Sequence, residues 1–72
     1  MPTIENANTS LLTIKQHIKN LAIERETITP QMVRFLVALA IRCYEIKEVA
    51  NPQACAGSYV QGLLSNLHVK IK

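Results

Sequence analysis

Four side chains in this chain are soft enough to ligate a transition metal or to serve as a nucleophile and its base: Cys43, Cys55, His17 and His68. Zinc sites draw their ligands in close pairs such as C-x-x-C or H-x-x-x-H, because two side chains from one turn fix half of the tetrahedron at once. No such pair exists here, so a metal site would need assembly from isolated positions. His17 lies between Lys15 and Lys19 and His68 beside Lys70, with no carboxylate in register to orient either imidazole. Glu24 and Glu26 alternate with Arg25, which reads as polarity at a helix end and not as an acid–base pair. There is no Gly-rich phosphate loop and no Ser-His-Asp arrangement. These residues therefore predict no catalytic residue, no metal and no cofactor. Cys43 and Cys55 read as small apolar fillers in a reducing compartment, and the two histidines as surface residues.

The elements that position these side chains follow from composition. The chain has 72 residues, 49% of them apolar, with eight Lys plus Arg against five Glu and a formal charge of +3. That size holds one small domain and excludes an enzyme with separate cofactor and substrate domains, while the apolar fraction argues against disorder. The cations are scattered, with acidic residues flanking Arg25 and Lys47, so they describe a solvated helical surface and not a basic stripe. Met1 to Ser10 is polar, without the basic start and apolar run of a secretory signal, which predicts a cytoplasmic protein. The densest apolar run, Met32 to Ile41, is too short for a membrane span and contains Arg34.

Hydrophobic periodicity predicts an all-α fold, a small three-helix bundle, preceded by a flexible segment over residues 1–9. The first helix is expected over about 10–26, with Leu11, Ile14, Ile18 and Leu21 forming one stripe and Thr9 or Ser10 as N-cap. Thr29-Pro30 marks the next start, since proline at the first helical position loses no hydrogen bond and has its φ already set. From there a long helix to about residue 50 carries a seam of Met32, Leu36, Leu39, Cys43, Ile46 and Ala50. Val33, Phe35, Val37, Ala40, Ile41 and Tyr44 make its first half apolar nearly all round. Asn51-Pro52 repeats the start signal for a third helix over about 52–66, in which Gly57 and Gly62 are either packing points or marks of a turn. Leu67 to Lys72 alternates apolar and polar residues, as a short strand or an extended tail would.

The segment from Thr29 to Lys72 resembles the DNA-binding half of helix-turn-helix and winged-helix repressors. In that resemblance Ile46-Lys47-Glu48-Val49-Ala50 stands for the first helix of the motif, Ala54 for the tight turn, Val60, Leu63, Leu64 and Leu67 for the inner face of the recognition helix, and Leu67 to Lys72 for the first strand of a wing. It implies a DNA-binding surface of Ser58, Gln61, Ser65 and Asn66. The chain departs from the pattern at Pro52, at Gln53 and Ala54, and in the absence of Arg or Lys on that surface, where phosphate attraction normally supplies much of the affinity.

A central helix with more apolar surface than two neighbours can cover predicts self-association. The residues expected at a dimer or partner interface are Met32, Phe35, Leu36, Leu39, Cys43, Tyr44, Ile46 and Tyr59. Tyr59 stands out because the small residues around it, Gly57, Ser58 and Gly62, leave room for its hydroxyl to reach a partner. The expected function is that of a non-enzymatic regulatory or inhibitor-type protein, acting as a homodimer and on another protein. The alternative is a DNA-binding transcriptional regulator.

Overall fold

The computed structural model describes residues 3–72. Three helices follow one another, α1 (Ile4–Ile23), α2 (Pro30–Ile46) and α3 (Pro52–Asn66), and form an all-α bundle measuring 35 × 19 × 19 Å. Helix α2 is the central element: it packs most extensively on α3, less on α1, and α1 meets α3 least.

Each helix starts on a side-chain cap. The oxygen of Thr3 accepts from Asn6 N, that of Thr29 from Met32 N and that of Asn51 from Ala54 N, each at 3.1 Å. Each cap satisfies one of the amides that a first turn leaves without a partner. Pro30 and Pro52 stand at the first helical position behind their caps, as the Thr-Pro and Asn-Pro signals predict.

The start of α1 is corrected by one and a half turns, since residues 4–9 are helical and the cap is Thr3. Thr9 does not cap. Its hydroxyl donates to the Glu5 carbonyl at 3.1 Å, and Thr13 does the same to Thr9 at 3.0 Å, so both threonines are satisfied inside the helix. The added turn buries Ala7, which extends the stripe Leu11, Ile14, Ile18 upstream at helical spacing. Met1 and Pro2 of the segment expected to be flexible lie outside the described residues.

The helices end in one common way. Arg25, Glu48 and His68 take left-handed backbone conformations with φ of 55°, 59° and 59°. The amide after each reaches back across the last turn, Glu26 N to Leu21 O at 2.9 Å, Val49 N to Tyr44 O at 3.3 Å and Val69 N to Leu64 O at 3.0 Å. These are Schellman closures, which satisfy carbonyls that a helix end leaves free. They stop α1 at Ile23 and α2 at Ile46, short of the expected ends near residues 26 and 50.

The core is apolar throughout. Ile18, Ala40, Ala56 and Val60 are fully buried, with Leu11, Ile14, Val33, Leu36, Cys43 and Leu64 packed around them, and no polar or charged side chain is buried among the described residues. The seam expected along α2 divides: Leu36 and Cys43 turn inward, Ile46 is half-buried, and Met32 and Leu39 are exposed. Ala50 lies beyond the helix and is exposed. Gly57 and Gly62 are inside α3 at ordinary helical φ, and a side chain added at either would meet nothing within 4 Å. They are neither packing points nor turn residues.

The tail is neither a strand of a sheet nor free. It forms a single parallel bridge, Ile28 to Ile71, in which Ile28 N donates to Lys70 O at 2.9 Å and Lys72 N to Ile28 O at 2.8 Å. The bridge places Ile28 and Val69 in the core and ties the chain end to the α1–α2 connection.

Candidate interaction groove

Where α1 and α2 lie side by side, their facing surfaces leave an open groove of about 560 Å³. Its floor is Ala7 and Ile14 of α1 with Leu36 and Cys43 of α2, all buried. The α2 wall is apolar: Phe35 is 57% exposed, Leu39 40% and Met32 37%, with Ile46 closing one end. The α1 wall is polar and carries no carboxylate, formed by Asn6, Ser10, Thr13 and His17 at successive helical turns. Arg42 stands on the outer edge of the α2 wall.

Six of the residues expected at an interface therefore line one groove: Met32, Phe35, Leu36, Leu39, Cys43 and Ile46. The other two, Tyr44 and Tyr59, do not. They sit on the α3 side of α2 and meet edge to face, with ring centroids 6.4 Å apart and planes at 76°. The Tyr59 hydroxyl does not reach outward to a partner, because it donates to the Leu11 carbonyl of α1 at 2.7 Å. Burial raises the pKa of both phenols, and the neighbouring cysteine and tyrosine groups add to the effect. Lys47 lies over the Tyr44 ring, with its Nζ 5.8 Å from the centroid, a cation–π distance.

The α1 wall and Arg42 were not among the expected interface residues. Their signal is present in the chain: Asn6, Ser10, Thr13 and His17 recur at four, three and four residues, a polar stripe running beside the apolar one.

The surface expected to read DNA is present as a face but not as the motif. Ser58, Gln61, Ser65 and Asn66 are all exposed on α3, a helix without a charged residue. Ile46 to Ala50 is not a helix; it is the end of α2 followed by its Schellman closure. Ala54 lies in the first turn of α3, its amide held by the Asn51 cap, and not at a turn between helices. Leu67 to Lys72, expected as a wing strand, makes the single bridge to Ile28.

Cys43 is buried in the groove floor and Cys55 is half-buried; both are free thiols. His17 and His68 are exposed, on different parts of the molecule, and no group of three or more potential metal ligands occurs among the described residues. A second, smaller recess of about 380 Å³ lies at the base of the bundle between Arg25, Glu26, His68 and Lys70. No helix of the described residues is long and apolar enough to cross a membrane.

The groove can take up an apolar ridge, because it offers exposed large side chains on one wall and hydrogen-bonding groups on the other. No family model, curated protein or solved structure matches this chain at significant similarity.

Proposed function

We propose that this chain is a small non-enzymatic interaction protein of the regulator or inhibitor type that works as a homodimer, with the α1/α2 groove as its association surface. The observation that carries the reading is the apolar wall of that groove, where Phe35, Leu39 and Met32 stand side by side and exposed. Exposed apolar residues scattered singly are normal in a monomer, whereas a contiguous set beside a groove is typical of a surface that another molecule covers. As the target of the dimer, a protein fits better than a nucleic acid, since α3 has no cation to hold phosphate and the cations elsewhere do not form a stripe.

Dilution of the ¹⁵N-labelled protein from millimolar to low micromolar concentration tests this. Amide shifts should change along the groove walls, from Asn6 to His17 and from Met32 to Ile46, and remain constant from Ser58 to Asn66. Spectra independent of concentration, or changes confined to α3, contradict the reading.

A further inference from the structure

We propose that the recess at the base of the bundle is a binding site for a terminal phosphate group, the anionic end of a small phosphorylated molecule. This site shares no residue with the α1/α2 groove.

The recess, of about 380 Å³, forms where the end of α1, the end of α3 and the last residues of the chain come together. That volume falls within the range of small-molecule sites. Ala22 and Leu67, both half-buried, give it an apolar base, and the exposed side chains of Arg25, His68 and Lys70 stand around it. Glu26 is its one acidic lining residue. Arg25 comes from the α1–α2 connection and His68 and Lys70 from the tail, so the cluster exists only in the folded chain and shows no basic run in the sequence.

The backbone holds these positions before any ligand arrives. Arg25 and His68 are the left-handed residues of two Schellman closures, with φ of 55° and 59°. The parallel bridge joins the two segments, through Ile28 N to Lys70 O at 2.9 Å and Lys72 N to Ile28 O at 2.8 Å. Fixing both segments in advance lowers the ordering cost of binding. The backbone amides of Thr27 and Lys70, which also belong to the lining, donate to no acceptor among the described residues, so they remain available to an anion.

The donor set fits phosphate. A phosphate monoester carries a charge of about −1.5 to −2 and three strong acceptor oxygens. Arg25 supplies a planar fork, Lys70 a point charge, and His68 and the Thr27 hydroxyl further donors. Helix C-termini ordinarily disfavour anions. Here the closures cap most of the end carbonyls: Asn20, Leu21 and Ala22 of α1 and Leu63, Leu64 and Ser65 of α3 each accept a backbone amide. A nucleic-acid backbone fits less well, because its charges repeat along a line whereas these cations are gathered into one recess.

Titration of the ¹⁵N-labelled protein with glycerol phosphate, against sodium chloride at equal ionic strength, tests the proposal. Amide shifts should saturate with a Kd of about 1 mM and be confined to Ala22–Ile28 and Leu67–Lys72. Inorganic phosphate should move the same amides. Arg25→Gly, which keeps the left-handed closure while removing the guanidinium, and Lys70→Gln should each weaken binding about five-fold. Glu26→Gln should strengthen it about three-fold by removing the one opposing charge. All three positions are exposed, so circular dichroism should show an unchanged fold. Shifts that do not saturate, that appear equally around Lys15, Lys19 and Arg34, or that are indifferent to Arg25→Gly and Glu26→Gln overturn the proposal. So does a Lys70→Gln variant that loses stability while phosphate binds neither protein, since the cations would then serve only the helix ends. Tighter binding of a DNA duplex to the same amides overturns the small-molecule assignment.

Discussion

The hydroxyl of Tyr59 donates a 2.7 Å hydrogen bond to the carbonyl of Leu11, across 48 residues of chain. Among the described residues it is the one side-chain hydrogen bond between α1 and α3, the two helices that touch least, and it is made in partly buried surroundings where neither group is well served by water.

Tyr59→Phe removes that bond with almost no change in packing. The expected loss is about 1 kcal/mol of unfolding free energy, which for a domain of this size lowers Tm by about 4–8 °C. Urea or thermal unfolding of the two proteins measures it; an unchanged midpoint would mean that solvent replaces the hydroxyl on the Leu11 carbonyl at no loss.

Alkaline pH should weaken the fold through the same pair of phenols. Burial raises the pKa of Tyr59 and of Tyr44 in the folded chain. A group whose folded pKa lies above its unfolded value keeps its full contribution below the unfolded value, about pH 10 for tyrosine, and loses it as pH rises through the folded one. Stability is therefore predicted to be insensitive to these groups between pH 7 and about pH 9, and to fall above about pH 10. The difference in urea midpoint between wild type and the Tyr44→Phe, Tyr59→Phe double variant, followed across that range, isolates the tyrosines from the lysines and thiols that also titrate there. The difference should shrink or reverse as pH rises; a constant gap contradicts the assignment.

The three helix ends store backbone strain that glycine would relieve. Arg25, Glu48 and His68 hold positive φ where the Schellman closure needs it, and none is glycine. A left-handed conformation costs a residue with a side chain about 1–2 kcal/mol, of which the greater entropy of unfolded glycine cancels about 0.5–1 kcal/mol. Arg25→Gly and Glu48→Gly are each expected to stabilise the fold by about 0.5–1 kcal/mol. His68→Gly should gain less, because histidine tolerates that region better than arginine or glutamate does. Chemical denaturation of the three single variants checks both the sign and the order.

Inside α3 the prediction runs the other way. Gly57 and Gly62 have helical φ and open space where a Cβ would go. Replacing either with alanine should stabilise the chain by about 0.8–1 kcal/mol through helix propensity alone. A destabilised Gly57→Ala or Gly62→Ala variant would show that something covers that face of α3.

How much of this was legible in the chain depends on where each determinant lies. Thr29-Pro30 and Asn51-Pro52 state the starts of α2 and α3 within two residues, and the structure has them there. The end of α3 falls at Asn66 as expected, but those of α1 and α2 are not stated locally. Arg25 and Glu48 do not advertise a left-handed residue, so the apolar pattern runs past the point where the Schellman closure halts the helix. The start of α1 misled for a related reason: Thr9 has the chemistry of a cap, but its hydroxyl is equally satisfied by the Glu5 carbonyl inside the helix. The groove was half legible. Its apolar wall follows from the excess of large residues on α2, while its polar wall requires knowing which face of α1 lies opposite. Tyr59 could not be placed without the fold, because the acceptor of its hydroxyl is a backbone group on another helix. The placing of the helix-turn-helix motif's first helix on Ile46 to Ala50 departs from the structure on the same kind of fact, the end of α2 at Ile46.

Sedimentation equilibrium of the wild type and of Leu39→Glu, from about one to one hundred micromolar, tests the central claim that the α1/α2 groove is where this protein associates. Leu39 is 40% exposed, so the substitution leaves the core of one copy intact while placing a charge in the groove wall. The account predicts a wild-type mass near twice 8.0 kDa at the upper concentrations and a single 8.0 kDa species for the variant throughout. A wild type that remains at 8.0 kDa over the whole range, or a variant that associates as strongly as the wild type, would contradict it.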